Sequence, residues 1–224
     1  MSQSPLVSVI LPAYNERDRI GETLTRLSDV LGEMGVSYEI IVVDDGSVDG
    51  TREVVQRFKD GNVKLVSYGR NEGKGYALKR GFMESSGRYI VFMDSDMDVD
   101  PGQVKLYVRV LEHADVVIGS KWHPKSRVEV SFLRKFLSKS FYVLARLSVG
   151  IRVSDTQVGL KAFRREALEK IVRVQLVKRY AFDVELLALA SLLKLRIVEL
   201  PVNLRLEGNF DLREVFRMFL DVLG

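Results

Sequence analysis

Two aspartates separated by one residue, Asp94 and Asp96, have the spacing best suited to chemistry in this sequence, and Asp98 repeats it. They follow the apolar run 89–93, which predicts a buried strand that ends at solvent. Side chains two positions apart in an extended segment point the same way, so the three carboxylates can converge on one cation. Hard divalent ions such as Mg²⁺ or Mn²⁺ take oxygen ligands, and Mg²⁺ is usually held by one or two carboxylates together with substrate phosphates. The spacing therefore predicts a metal-dependent site for a nucleotide diphosphate.

A helix cap is the structural alternative for these aspartates. Asp is a common N-cap, and Pro is a common first residue of a helix. Asp100 directly precedes Pro101 and fits the capping role better than the other aspartates do. We therefore assign the cap to Asp100 and the metal to the three carboxylates upstream of it.

A second acidic pair, Asp44 and Asp45, follows the strand-like run 38–43. One of these acids can accept hydrogen bonds from a base or a ribose, as an acid near a strand end does in dinucleotide folds. A capped turn is the alternative, and we favour it for Ser47 and Asp49. This segment is therefore a candidate for nucleotide binding.

The polar cluster 12–16 follows the first apolar run of the chain. Asn15 can cap the next helix, which leaves Pro12, Tyr14 and Glu16 to face a ligand. No Gly-x-Gly-x-x-Gly motif follows this strand, and the sequence has no P-loop motif. Dinucleotide oxidoreductases and P-loop NTPases are therefore disfavoured.

A glycine-rich turn at 71–75 places Lys74 at the start of a predicted helix. A lysine in that position is suited to contact a phosphate. A plain turn explains the same residues equally well.

Strand-like runs alternate with helical patterns through the first half of the chain. The strand-like runs are 7–11, 38–43, 63–68, 89–93 and 116–119, and the helical patterns are 20–34, 54–58, 74–85 and 101–112. Apolar strands with intervening helices predict an α/β fold, with a mostly parallel central sheet covered by helices on both faces. Ligands of such sheets bind beyond the carboxyl ends of the strands, where all the polar clusters above lie.

The second half of the chain continues the same pattern without a linker or an internal repeat. It contains a basic helical stretch at 131–149, an alternating strand at 158–163, a helix near 182–193, a strand at 196–206 and a final helix from 212. The whole chain, 1–224, is therefore predicted to be one domain.

Composition limits the classes of protein to which this chain can belong. It has 224 residues, of which 46% are hydrophobic and 29% charged, as expected for a globular protein. The absence of cysteine excludes disulfides and thiolate metal sites, and two histidines argue against a histidine-rich zinc centre. The net charge of +4 is compatible with nucleic acid, an anionic membrane surface or anionic substrates. No nucleic-acid-binding motif is present, so we expect no nucleic-acid partner.

The sequence gives an expectation for the location of the protein. Residues 1–5 lack the basic and apolar regions of a signal peptide. No stretch approaches the roughly 20 apolar residues that span a bilayer. We therefore expect a cytoplasmic protein without a transmembrane helix.

Three segments, 9–16, 43–47 and 94–96, resemble in that order the family-two inverting glycosyltransferases of the GT-A fold. The segments 155–163 and 182–187 resemble the branch of that family that acts on dolichyl phosphate, the β-glucosyltransferases first and the mannose synthases next. The resemblance implies a nucleotide-sugar-binding half at 1–120 and an acceptor- and membrane-facing half at 121–224. It also implies inverting transfer of a hexose to dolichyl or polyprenyl phosphate, which gives a β-linked lipid phosphosugar.

The resemblance also implies site residues. The donor, UDP-glucose, GDP-mannose or another nucleotide sugar, would be bound by Pro12, Tyr14, Glu16, Val43, Asp45 and the Asp94-Ser95-Asp96 segment. Lys74, proposed above from its position at a helix start, is a further candidate. Mg²⁺ or Mn²⁺ would be held by Asp94, Asp96 and Asp98, although many relatives carry Gln at the last position. Relatives commonly have Gly-Ser-Arg after the fifth strand and Gly-Ser-Lys near the last one. Here these segments read Gly-Ser-Lys at 119–121 and Gly-Asn-Phe at 208–210, with Arg205 close to the second.

The chemistry of the acceptor suggests roles for residues of the second half. A phosphate monoester has a second pKa near 6, so at neutral pH it is largely a dianion and needs no strong general base. We expect Arg134, Lys121 and Arg205 to neutralise the phosphates. Asp155 and Gln157 would shape the sugar pocket, and Asp155 either acts as a base or only positions the substrate.

The stretch 131–149 has apolar residues on one helical face and Lys and Arg on the other side, which is typical of a basic amphipathic helix. It predicts peripheral contact with the cytoplasmic face of a membrane, with the final helix beside it. A helix packed on its own core is an equal alternative on the pattern alone. For Asp183 and Glu185, buried structural roles are a credible alternative to functional ones.

Three other functions compete with this interpretation. A family-two transferase acting on a soluble or saccharide acceptor shares the donor half. A sugar nucleotidyltransferase has a similar sheet, but its glycine-rich signature near the first strand is absent. A non-catalytic membrane-binding module would have little need for Asp45, Asp94, Asp96 and Arg134 together.

Overall fold

A computed structural model describes residues 4–58, 61–129, 153–177 and 182–205. The predicted helices at 131–149 and from 212, the segment 208–210 and Arg134 lie outside these residues.

The described chain forms a seven-stranded sheet and a two-stranded ribbon. The strands are β1 (Val7–Ala13), β2 (Tyr38–Asp44), β3 (Val63–Ser67), β4 (Tyr89–Phe92), β5 (Val116–Ser120), β6 (Arg127–Glu129), β7 (Lys161–Arg164), β8 (Ile197–Pro201) and β9 (Asn203–Arg205). The order of the main sheet is β3-β2-β1-β4-β7-β5-β8. Only β7 runs antiparallel to its neighbours, β4 and β5. The ribbon pairs β6 with β9 in parallel.

Six α-helices accompany these strands in the described part of the chain. They are α1 (Arg17–Glu33), α2 (Thr51–Arg57), α3 (Lys74–Glu84), α4 (Val104–Val110), α5 (Arg165–Val172) and α6 (Phe182–Leu192), and a 3₁₀ turn (Pro101–Gln103) precedes α4. None of the described helices combines the length and the apolar content that crossing a bilayer requires.

Two hydrophobic cores lie on opposite faces of the sheet. Val9 and Leu11 of β1 pack with Leu24 and Leu27 of α1, whereas Ile10 points to the other face. There it packs with buried residues of α3, α5 and α6, among them Leu78, Leu168 and Leu186. Each fully buried leucine or isoleucine contributes about 1.5–3 kcal/mol, so both faces of the central strands are stabilised. This arrangement confirms the predicted α/β fold with helices on both faces.

Some elements differ from the sequence prediction. The predicted strand 158–163 begins only at Lys161, and Gly159 before it packs against Asp94. The predicted strand 196–206 is divided at Val202 into β8 of the main sheet and β9 of the ribbon. Helix α5 and strand β6 were not predicted.

Candidate active site

The carboxyl ends of β1, β2 and β4 lie side by side at one edge of the sheet. Ala13 at the end of β1 pairs with Asp44 at the end of β2. The Met93 N–H, directly after β4, donates to the Ile10 carbonyl at 3.2 Å. The loops that carry the predicted ligand residues therefore leave the sheet together, as the parallel topology requires.

The loop between β1 and α1 does not have the predicted cap. Asn15 lies in the left-handed region with φ of 58°. Its side-chain oxygen accepts from the Val48 N–H at 3.0 Å, so Asn15 binds the neighbouring loop and the prediction that it caps α1 is wrong. Glu16 occupies the N-cap position without a capping bond from its side chain. Asn and Asp tolerate this backbone region better than most residues, which explains an asparagine there.

The Glu16 carboxyl lies in a strongly negative environment. Burial, followed by the charge of Asp96, raises the pKa of Glu16 to about 7, although Arg19 opposes the shift. Asp94 and Asp98 add smaller contributions in the same direction. Four acidic side chains thus influence one another at this edge of the sheet, and a cation placed among them would relieve the repulsion.

The two acids after β2 have different partners. Asp44 is fully buried and accepts from the Arg52 guanidinium, whose Nε and Nη2 both lie 3.0 Å from its Oδ2. Asp45 accepts from the backbone N–H groups of Glu72 and Gly73, at 2.8 and 2.9 Å. Asp44 is therefore structural, and Asp45 ties the loop after β2 to the glycine-rich turn. Donor binding by Asp45 stays a prediction.

Two other predicted donor contacts are constrained by burial. The Val43 side chain is fully buried in the core and pairs across the sheet with Pro12, so only its main chain can reach a ligand. The Pro12 carbonyl accepts from the Ser95 hydroxyl at 2.8 Å, and Ser95 itself is buried. Tyr14, by contrast, is 48% exposed, which leaves its ring free to stack on a base.

The capping assignment at Asp100 is confirmed, whereas Gly50 rather than Asp49 occupies the N-cap position of α2. Asp100 accepts from the Gly102 N–H at 3.0 Å at the start of the 3₁₀ turn. Asp49 accepts from the Thr51 N–H at 2.9 Å at the start of α2.

The segment after β4 is a turn rather than an extended strand. Met97 has φ of 64°, and the Asp98 N–H donates to Asp96 Oδ1 at 3.0 Å. The Asp98 carboxylate lies near Arg19, with Oδ1 3.9 Å from Nη1. The expectation that three carboxylates converge rested on an extended backbone. The backbone turns at Met97 instead, and the described residues contain no group of three acidic or histidine side chains arranged to hold a metal.

Asp94 and Asp96 nevertheless have the chemistry of a metal site. Burial and the neighbouring Asp94 charge raise the pKa of Asp96. This repulsion between two carboxylates is what a bound cation would remove, and carboxylate oxygens suit Mg²⁺ or Mn²⁺. One or two carboxylates suffice when phosphate oxygens complete the coordination. The pair therefore fits a divalent ion, whereas Asp98 is directed towards Arg19.

Lys74 already provides one positive charge here. Its Nζ lies 2.5 Å from Asp94 Oδ1. Burial lowers the pKa of Lys74, but the carboxylates of Asp94, Asp183 and Asp96 outweigh burial and hold the pKa above its usual value. The sequence predicted either a phosphate contact for Lys74 or a plain turn, and it did not predict the ion pair with Asp94.

Lys121 and Asp155 form a second, more buried centre. Lys121 Nζ lies 3.3 Å from Asp155 Oδ1, and these side chains are 12% and 5% exposed. Asp155 also accepts from the backbone N–H groups of Lys121 and Gln157, at 2.9 and 3.0 Å. A carboxylate with these three donors is well suited to orient Lys121.

A buried ion pair behind the site was missed by sequence reasoning. Lys161 Nζ lies 2.7 Å from Asp183 Oδ1, and the Lys161 side chain is 3% exposed. A lysine within the apolar segment 160–163 was the available signal, since a buried lysine needs a partner. Glu185 accepts from the Leu176 and Val177 N–H groups, which confirms a structural role for it.

The remaining predicted phosphate contact from the described residues is Arg205. Its N–H donates to the Asp98 carbonyl at 2.9 Å, which brings the end of β9 beside the turn after β4.

The fold and the family match given below identify the chain as a glycosyltransferase of the GT-A class. Among solved structures, the chain is similar to glucosyl-3-phosphoglycerate synthase from Mycobacterium tuberculosis, crystallised with Mn²⁺, UDP and phosphoglyceric acid. The TM-score is 0.75 at 25% identity, and the match covers 98% of this chain and 76% of the other. The same protein crystallised with Mg²⁺ and UDP matches with a TM-score of 0.75 at 24% identity, over 98% of this chain and 77% of the other.

The family description "Glycosyl transferase family 2" matches residues 8–172, and the chain belongs to this family. Among curated proteins it is similar to the dolichyl-phosphate β-glucosyltransferases. The enzyme of Dictyostelium discoideum is 36% identical over 88% of this chain and 65% of its own length. That of Drosophila melanogaster is 36% identical over 90% and 68%, and that of Homo sapiens 31% identical over 93% and 70%. The chain thus spans about two thirds of the length of these relatives.

Proposed function

We propose that this protein transfers glucose from UDP-glucose to dolichyl or polyprenyl phosphate, with inversion to a β-linked lipid phosphosugar. Membership of family 2 and the names of the curated relatives support the reaction and the sugar. The observation that carries the proposal is that one loop, 155–159, contacts both charged centres. Asp155 at one end holds Lys121, and Gly159 at the other end packs against Asp94. Four residues of chain span at most about 14 Å, so the centres lie close enough to serve one reaction.

The centre around Asp94 and Asp96 would bind the donor. Tyr14, Asp45 and the main chain at 12 and 43 would hold the nucleotide. Asp94 and Asp96 would hold a divalent ion, which when bound would neutralise the diphosphate as it leaves. Lys74 lies beside the same carboxylates and would add a second positive charge to the diphosphate.

The centre formed by Lys121 and Asp155 would bind the acceptor. Because the acceptor phosphate is largely a dianion at neutral pH, it attacks the anomeric carbon without a strong base. Lys121, held in place by Asp155, would orient this phosphate, and Arg134 and Arg205 would complete its charge neutralisation. The site would promote the reaction mainly by positioning the acceptor phosphate next to the donor diphosphate.

A lipid acceptor requires access to a membrane surface. We extend the proposal to peripheral binding at the cytoplasmic face through residues 131–149, supported by the basic amphipathic pattern of their sequence. Flotation with liposomes that contain or lack anionic lipid tests this point. The protein should float only with the anionic liposomes, and a protein that floats with neither contradicts membrane binding.

A soluble phosphorylated acceptor is the second candidate. The similar solved structure contains phosphoglyceric acid, an acceptor-sized phosphate compound, and its TM-score of 0.75 extends over 98% of this chain. The same Lys121 centre would bind either kind of phosphate.

One transfer assay separates these possibilities. Radiolabelled UDP-glucose and GDP-mannose are each incubated with dolichyl phosphate or 3-phosphoglycerate, and label is counted in the organic and aqueous phases. We expect label from UDP-glucose in the organic phase only. Label in a water-soluble phosphosugar, with none in lipid, would establish the second candidate instead.

A further inference from the structure

We propose that the Lys74 ammonium is the internal counter-ion of the Asp94–Asp96 pair, so that a divalent ion enters this site by displacing Lys74. The nucleoside diphosphate would assist, because it offers Lys74 a new anionic partner. This inference rests on the proposed function and deepens it, since it states how metal binding and donor binding depend on each other.

Contacts at the end of β4 support this role. Lys74 Nζ lies 2.5 Å from Asp94 Oδ1, and the Lys74 side chain is 35% exposed. Asp94 is itself 28% exposed, so both groups can be reached by an ion from solvent. The lysine therefore occupies one of the two carboxylates that a metal would need.

Lys74 also lies near a second acid that holds it at the site. Asp183 acts on Lys74 electrostatically and forms a direct ion pair with Lys161, whose Nζ lies 2.7 Å from Oδ1. Lys161 also donates to the Val158 carbonyl at 2.7 Å, which fixes the position of its ammonium. Charges thus alternate from Asp94 through Lys74 and Asp183 to Lys161. Asp183 and Lys161 are positioning residues that act through Lys74.

Two close approaches of glycine bring these charges together. A methyl group added at Gly75 would overlap the ring of Phe182, the neighbour of Asp183. Gly159 lies two residues before Lys161, and a methyl group added there would overlap the Asp94 carboxylate. Because Gly75 and Gly159 carry no side chain, the start of α3 can lie close to the start of α6, and the segment before Lys161 can lie close to the end of β4.

This arrangement predicts a specific coupling. With Lys74 on Asp94, the free protein presents less negative charge to a metal and binds it weakly. Once a diphosphate draws Lys74 away, both carboxylates become available. Because such coupling is reciprocal, the metal should also strengthen nucleotide binding through the same lysine.

Calorimetric titration of Mn²⁺, with and without UDP, tests the inference on the full chain. We expect Lys74→Gln to bind Mn²⁺ about tenfold more tightly than wild type without UDP, because one competing charge is gone. The strengthening of Mn²⁺ binding by UDP should shrink by a similar factor. Lys74→Arg, which keeps the charge, should behave as wild type. Arg80→Gln is the matched control, because it removes the same charge from the same helix at a residue paired with Glu84.

Asp183→Asn provides an opposite expectation. Without the Asp183 charge, Lys74 depends on Asp94 and Asp96, the pair that a metal would use, so Mn²⁺ should bind more weakly in the absence of UDP. Thermal melts establish which variants fold, and if Lys74→Gln does not fold, the Asp183→Asn titration decides. Mn²⁺ affinity that is unchanged or weaker in Lys74→Gln, or unchanged or tighter in Asp183→Asn, overturns the inference while the proposed function stands. Absence of Mn²⁺ binding in wild type even with UDP would instead contradict the metal-dependent function, and the counter-ion role with it.

Discussion

The buried Lys161–Asp183 pair gives the sharpest prediction for stability. The two side chains are 3% and 15% exposed, so solvent screens their interaction little. Replacing Lys161 with Met keeps most of the apolar volume but leaves the Asp183 carboxylate without its closest cation. Breaking a buried pair on one side costs about 3–5 kcal/mol, and we expect the lower end because Lys74 remains nearby. For a domain of this size, about 3 kcal/mol corresponds to a fall of roughly 6–12 °C in Tm.

Urea unfolding followed by circular dichroism measures this loss as a change in midpoint at constant slope. The double variant Lys161→Met with Asp183→Leu is the matched control, because removing both charges of a buried pair is often nearly neutral. It should recover most of the lost stability. A single variant that loses less than about 1 kcal/mol, or a double variant less stable than the single one, would refute the conclusion that this pair is a desolvated structural contact.

Three further predictions concern the site itself. Asp96→Ala should lower turnover by a factor of about 100 or more. Asp155→Asn should lower turnover only about tenfold if Asp155, as we propose, orients Lys121 and does not serve as a base. Comparable losses in the transfer assay would contradict that division of roles. The pKa of Glu16 is raised to about 7 from an ordinary 4.5, which means that the folded protein prefers the protonated acid. The stabilisation that protonated Glu16 provides is therefore complete below about pH 4.5 and is lost as pH rises through 7. Free energies of unfolding measured without metal at pH 5 and pH 8 should therefore show that wild type loses roughly 1 kcal/mol more stability between these pH values than Glu16→Gln does. The expected difference is small because the Glu16 side chain is partly exposed. Equal losses would count against the shift. Gly159→Ala should displace the Asp94 carboxylate and weaken Mn²⁺ binding in the presence of UDP by about tenfold, which calorimetry checks against Gly32→Ala at a position with open space.

The sequence predicted the sheet well because its signals are local. Apolar runs marked β1, β2 and β4 to within a few residues, and parallel topology then placed the clusters that follow them at one edge. The cap at Asp100 was equally local, since an aspartate before a proline determines it almost alone. Helix α5 was missed although its buried residues, Ala167, Leu168, Ile171 and Val172, recur at helical spacing.

The site could be predicted only in part, because its details depend on contacts between distant segments. The positive φ at Met97 ends the extended backbone and the Asp98 carboxylate lies beside Arg19, and an alternating acidic pattern gives no indication of that turn. The ion pair between Lys74 and Asp94 joins two loops that only the folded sheet brings together. Asp155 could be named from the family likeness, but two of its three donors belong to Lys121 after β5, which only the folded chain brings beside it.

The central claim is that a divalent ion on Asp94 and Asp96 makes donor binding and transfer possible. The most direct measurement is UDP binding by calorimetry with Mn²⁺, with Mg²⁺ and with excess chelator, on wild type and on Asp96→Asn. We predict tight binding of UDP to wild type with either metal, loss of at least about tenfold in affinity with chelator, and little difference between metal and chelator for the variant. Equal affinity of wild type for UDP with and without metal would contradict the account.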